Sequence, residues 1–336
     1  MVFLIQQTLL FAVPLMIVAL AGVCAERSGV INLALEGIMI FGAFVGVLFI
    51  RIMQEMNLFD KESGQILLLL TLLVAAVCGG LFSLLLAFSA INLKADQTIG
   101  GTALNMLSPA IVLFFIVLIA QQNTLGMADG SAAGWFMIRP STFGLPKDYS
   151  WGFFGDLILN KVYLSTYICI LVFIVISIVL YKTRFGLRLR ACGENPQAAD
   201  SLGINVYKMR YAGVILSGVL AGLGGFNYAL TTSGCSATGA VAGYGFLALA
   251  VMIFGNWTPL NIAAGGLLFG LFKCIAATYS TLDINGDGVY MLAEIGISPY
   301  VYRMLPYLIT LIVLAFTSKK SRVPKAEGIP YDKGQR

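Results

Sequence analysis

Several apolar runs of 17 or more residues recur along this chain, separated by short polar breaks. At about 1.5 Å per residue, a helix of that length crosses a hydrocarbon core about 30 Å thick. The pattern predicts spans near residues 3–23, 30–50, 66–92, 102–120, 162–181, 211–231, 243–256, 260–278 and 304–317. Ten-residue segments of alternating polarity are absent, which argues against a membrane barrel. The predicted fold is therefore all-α: a polytopic helical bundle of about nine to ten spans, with interrupted helices and a short cytosolic helix. Residues 1–318 read as one transmembrane domain and 319–336 as a cytosolic tail.

The polar breaks set the orientation. Lys182, Arg184, Arg188, Arg190, Lys208 and Arg210 fill the 182–210 loop, and Lys319, Lys320, Arg322 and Lys325 follow the last span. Basic residues favour the cytosolic side, so both segments belong there. Counting back places Glu26-Arg27 and 93–101 inside, and 51–64, 121–161 and the N-terminus outside. The first run has no preceding Lys or Arg and no small-x-small site, so it reads as a retained span rather than a signal peptide.

Some positions interrupt the apolar pattern at membrane depth. Asn32 and Glu36 share a helix face, and an ionisable group so placed must face protein or water. They serve either as substrate contacts or as hydrogen bonds between helices, with Arg27 a candidate partner. Asn105 either lines a cavity or caps a neighbouring helix. Ser217-Gly218, Ala221-Gly222 and Gly224-Gly225 provide a small-residue surface for helix packing, with Asn227 and Tyr228 at its outer end, where an amide can meet a polar ligand. Between Gly234 and Pro259, glycines surround a short apolar run. Such broken segments are tolerated in a membrane only where the backbone is buried or lines a cavity, so this one points to a translocation path.

Composition agrees with the pattern and narrows the chemistry. Apolar residues make up 59% of the 336 residues and charged ones 11%, and the mean hydropathy is +0.89. The net charge of +5 follows the basic residues beside spans and does not indicate nucleic acid. The absence of histidine counts against hydrolase and metal chemistry, and the six scattered cysteines form no C-x-x-C. Asp283, Asn285, Asp287 and Glu294 satisfy the spacing of a calcium-binding loop, although D-x-N-G is also ordinary turn chemistry. The aromatics of the 121–161 loop (Trp135, Phe136, Phe143, Tyr149, Trp151, Phe153 and Phe154) fit interfacial segments, or a surface receiving a lipoprotein.

The charged island at 184–204 contains one short helix: Asn195 is a good N-cap, Pro196 suits the first helical position, and Gly203 is placed to end it. About two turns are not stable alone in water, so something else must hold them. The run R-x-R-A-x-G-E-N-P-x-A-A-x-x-x-G-I at 188–204 resembles the coupling loop of permease subunits of ATP-binding-cassette importers, in the branch for simple sugars, branched-chain amino acids and nucleosides. E-R-S-G-x-x-N-x-x-x-E-G at 26–37, D-Q-x-I-x-G-x-A-x-N at 96–105, G-x-G-F-x-A-x-A-V-x-x-x-G at 243–255 and the tail resemble the same branch, closest to nucleoside-type members. Ser108-Pro109 stands where that pattern has a small residue and glycine, so a different kink is expected in the fourth helix.

The resemblance implies a non-catalytic permease subunit of the bacterial cytoplasmic membrane. Arg190, Glu194, Asn195, Pro196, Ala198, Ala199 and Gly203 would form the contact with the ATPase, and Asn32, Glu36, Asn105 and Asn227 would lie on the substrate path. The implied partners are a second permease subunit, similar or identical, cytosolic ATPase subunits, an extracytoplasmic substrate-binding lipoprotein and membrane lipid. No Walker A sequence occurs, so the chain carries no cofactor and ATP is bound by the partner subunits. A nucleoside is the expected substrate; a simple sugar, a riboflavin-like vitamin or a branched-chain amino acid is the alternative. An ion-coupled carrier would need more intramembrane carboxylates than Glu36, and an intramembrane enzyme would need paired acids or histidine.

Overall fold

The computed structural model describes residues 2–140, 146, 152–279, 298, 300–302, 304–305, 308–309, 311 and 322–334. Among these residues, seven helical stretches are long and apolar enough to cross a membrane. They contain α1 (Val2–Glu26), α2 (Leu35–Glu55), α3 (Gly64–Ala87), α4 (Gln97–Ala120), α7 (Leu164–Lys182), α10 (Val206–Thr231) and α12 (Pro259–Thr278). Short helices lie between them: α5 (Ala132–Trp135), α6 (Gly152–Leu159), α8 (Arg184–Glu194), α9 (Pro196–Ser201) and α11 (Tyr244–Phe254). The only sheet among the described residues pairs Met137–Ile138 with Val162–Tyr163. The span predicted at 304–317 and the calcium-like loop at 283–294 lie wholly or mainly outside the described residues.

Helix α10 is the centre of the bundle, packed against α1, α2 and α3. Its small residues allow this. A Cβ on Gly222 would stand 2.5 Å from Ala75 O and 2.9 Å from Gly79 Cα, and a Cβ on Gly42 of α2 would stand 2.5 Å from Gly222 itself. Three backbones therefore meet with no side chain between them, the intramolecular use of a small-residue stripe. By contrast α4 turns most of its length outward, with Met106, Phe114 and Leu118 exposed.

Several boundaries differ from the sequence reading, each for a local reason. Helix α2 starts at Leu35 rather than near residue 30, because side chains hold the preceding backbone in a turn: Gln97 Oε1 accepts from Ile31 N at 2.7 Å and Asn32 Oδ1 accepts from Ala34 N at 3.0 Å. Helix α4 starts at Gln97, not 102, because the Asp96 carboxylate accepts from Thr98 N and Ile99 N. The run predicted as a span at 243–256 is only the 11 residues of α11, about 16 Å long. The aromatics predicted at an interface include two that are core residues: Trp135 and Phe136 are 6% and 0% exposed. Gly64 abuts the Trp135 carbonyl, and Gln65 Nε2 donates to Phe136 O at 3.1 Å.

The two ends of the bundle are distinct. At one end, Gln6 Nε2 donates to Asn160 O, Gln54 bonds the 128–129 backbone and Leu125 pairs with Ala237. The α1–α2 turn, the α3–α4 link, α8, α9, the α11–α12 link and residues 322–334 gather at the other. Segments that the basic residues assign to the cytosol thus share one end.

Candidate functional site

Helix α10 ends at Thr231, and residues 232–243 return into the bundle without helical structure before α11 begins. Gly243, at φ 72°, makes the turn into α11. A helix start leaves backbone N–H groups without partners and carries positive partial charge. Glu36, in the first turn of α2, meets both needs: its carboxylate accepts from Gly243 N at 3.0 Å and Gly245 N at 2.6 Å. Any side chain on Gly245 would overlap the Glu36 backbone. The intramembrane carboxylate predicted at Glu36 therefore seats an interrupted helix, and its partners are backbone amides of α11 rather than Arg27.

Beside this junction lies a cavity of about 530 Å³ lined by Phe11, Tyr228, Thr232, Tyr244 and Lys273, among others. The Tyr228 and Tyr244 rings are 4.5 Å apart between centroids, and Lys273 Nζ sits 5.0 Å from the centre of the Tyr244 ring. Lys273 and Tyr228 are both within electrostatic reach of Glu36. Asn227, next to Tyr228, is fully buried, and neither polar atom of its amide has a hydrogen-bond partner among the described residues.

Asn105 ties α4 to the start of α2. Its Oδ1 accepts from Gly37 N at 2.8 Å and its Nδ2 donates to Leu33 O at 2.7 Å, while Ser108 Oγ donates to Gly37 O at 2.6 Å. Of the two roles open to Asn105, the structure has it capping a neighbouring helix. Ser108-Pro109, the departure from the family pattern, places a hydroxyl where it bonds α2. Asn32 bridges to α10 through Nδ2 to Ser217 Oγ at 2.8 Å. Asn32, Glu36 and Asn105 thus meet around the start of α2, and the Asn227 amide is hydrogen-bonded to none of them.

At the opposite end of α11, the face expected to be cytosolic is built on α8 and α9. Thr183 caps α8, a second helix in the charged island beside the one its capping residues predict. Asn195 Oδ1 accepts from Ala198 N at 3.0 Å, Pro196 opens α9, and Gly203 follows it at φ 80°. Glu194, Asn195, Ala198 and Gly203 are exposed; Pro196 and Ala199 are buried, and Arg190 is half-buried over the Tyr181 ring. Arg27 Nη1 approaches Glu194 Oε1 at 3.5 Å. Leu202, just past α9, is 81% exposed, an apolar side chain that no described residue covers.

A family model described as "Branched-chain amino acid transport system / permease component" matches residues 4–314. The chain belongs to this permease family. Over 333 residues it is 39% identical to the nucleoside ABC transporter permease protein NupC of Lactococcus lactis subsp. cremoris, covering 99% of this chain and 97% of that one. It is also 39% identical over 337 residues to the guanosine ABC transporter permease protein NupQ of Bacillus subtilis, with the same coverage. The putative glucose ABC transporter permease protein TsgC13 of Haloferax volcanii is 28% identical over 329 residues, 93% of this chain and 91% of that one. No solved structure matches the chain. The permease is a multi-pass membrane subunit of an ATP-binding-cassette importer and is not itself an enzyme.

Three features of this permease escaped the sequence reading. Lys273 had a legible signal, a lone charge within the apolar α12. Tyr244 had none, because an aromatic in an apolar run reads as core. Leu202 was visible only as one apolar residue in a polar loop.

Proposed function

We propose that this permease imports nucleosides across the bacterial cytoplasmic membrane, passing them through the cavity between α1, α10, α11 and α12. The observation that carries this reading is the Tyr228–Tyr244 pair with Lys273 beside an interrupted helix: aromatic faces suit a flat heteroaromatic base, and polar groups around them suit a ribose. The names of the two relatives at 39% identity support the same substrate class. Asn227 supplies the buried amide, and Glu36 holds the mouth of α11 in place. Asn32 and Asn105 act on the path through the start of α2.

The permease pairs with a second, similar or identical permease, receives substrate from an extracytoplasmic lipoprotein and is driven by two cytosolic ATPase subunits. Those subunits grip α9 through Glu194, Asn195, Ala198 and Gly203, with Leu202 inserted as an apolar anchor and Arg190, Pro196 and Ala199 supporting the contact from beneath. Residues 1–318 form the permease domain and 319–336 its cytosolic extension. Nucleotide-driven closure favours one access state and the loaded binding protein the other.

The test is ATP-dependent uptake by the whole complex in proteoliposomes, with radiolabelled nucleosides, glucose, leucine and riboflavin offered in parallel. Nucleoside uptake that falls about tenfold or more in Tyr228→Ala supports the reading. Uptake of another class with nucleosides excluded, or uptake without the ATPase, overturns it.

A further inference from the structure

The last described segment, 322–334, lies across the cytosolic end of the bundle. Arg322 N donates to Asn256 Oδ1 in the α11–α12 link, and Ala326 N donates to Gly193 O in α8. Gly328 N donates to Gly29 O in the α1–α2 turn, and the fully buried Arg210 of α10 donates through Nη1 to Ile329 O. Lys94, in the α3–α4 link, pairs with Asp332 at 2.7 Å. Three inter-helix connections and the helices α8 and α10 are thus tied by one strand of backbone.

The strand also supports α9. Tyr331 is 5% exposed and packs with Cys192, Ala199 and Val206, so the buried face of α9 rests on it. Between α9 and the strand runs a groove of about 250 Å³ lined by Glu194, Asn195, Gln197, Lys325, Ile329 and Tyr331. Ile329 and Val323 are 57% and 45% exposed, and Leu202 of the α9 side is 81% exposed. Exposed apolar anchors among charged and amide side chains are the anatomy of a protein interface.

We propose that residues 322–334 are the second half of the ATPase docking surface, with the groove beside α9 receiving a side chain or helix end of that subunit. The proposal rests on the reading that α9 is the ATPase contact, with which the groove is continuous; the importer family supplies the occupant, an ATPase subunit, and the basic residues around this end assign it to the cytosol where ATP is found. In this arrangement a push on α9 reaches Tyr331 directly and spreads through the strand to the α1–α2, α3–α4 and α11–α12 connections. Apart from the strand, α9 packs chiefly on α8 and α10 among the described residues.

The experiment places the photo-crosslinking residue p-benzoylphenylalanine at Gln197, Lys325 or Asn57 in the assembled complex. Gln197 and Lys325 are exposed on either side of the groove, and Asn57 is exposed at the far end of the bundle. Labelling of the ATPase from 197 and 325 but not from 57 is expected. ATPase labelling from 197 with only lipid or no adduct from 325 overturns the strand's role and leaves the α9 contact standing. Failure at 197 overturns the α9 contact and this proposal with it. A second measurement uses Ile329→Asp, which alters an exposed side chain and keeps the backbone anchors: retention of the ATPase on the purified permease should fall about tenfold. Unchanged retention would refute the contact.

Discussion

Replacing Gly245 with alanine tests whether the carboxylate of Glu36 seats the interrupted helix. The new Cβ would overlap Glu36 N and Cα and stand 2.8 Å from its Oε2. Carbon contacts settle at about 3.5 Å or more, so the start of α11 must withdraw by about 1 Å. The 2.6 Å bond from Gly245 N then stretches past about 3.5 Å and ceases to be one. A hydrogen bond to a charged group is worth about 1.5–3 kcal/mol, and forcing a methyl into a packed site costs about 1–3 kcal/mol. The expected loss is about 3–6 kcal/mol, a drop of about 5–10 °C in the unfolding midpoint in detergent followed by tryptophan fluorescence. Glu36→Gln, which keeps the shape but loses the charge, should cost about half as much. A Gly245→Ala permease with an unchanged midpoint and full uptake would refute the reasoning, because the close approach would then carry no energy.

Further outcomes follow from the same contacts. Asn105→Ala leaves Gly37 N–H and Leu33 O without their side-chain partners and should destabilise the protein by about 2–4 kcal/mol, with Asn105→Asp milder because it retains the acceptor; chemical denaturation of both variants checks this. Leu202→Asp, at a position 81% exposed, should leave the unfolding midpoint within about 1 °C and weaken ATPase association about tenfold or more, read by pull-down of the detergent-solubilised complex. Burial pushes the Glu327 carboxyl from 4.5 up to about 7, against the opposing pull of the Arg27 charge, with Glu26, Glu194 and Arg210 the other charged groups around it. The docked strand therefore holds the proton more tightly than the free one. The stabilisation this proton lends to docking is fully present below about pH 4.5 and fades as pH rises through about 7, while the other anchors persist, so a spin label at Lys333 should become more mobile over that range, and Glu327→Gln should flatten the response.

Long apolar runs made the helical class and the membrane setting legible, and Asn195, Pro196 and Gly203 the short helix at α9, because burial in lipid demands such runs and a helix start demands a capping side chain. Sequence also singled out Glu36, Asn32 and Asn105, since polar groups at membrane depth need partners. Which partners they find was decided by packing: Glu36 reaches Gly243 and Gly245 only because α11 starts inside the bundle, and Asn105 meets Gly37 only because α4 lies against α2. The cavity at Tyr228 and Lys273 joins residues 45 positions apart, and Tyr331 lies 132 positions beyond the Ala199 it supports. No local pattern encodes such pairings, because they are set by how three helix backbones close on Gly222 and by where residues 322–334 lie against the rest of the chain.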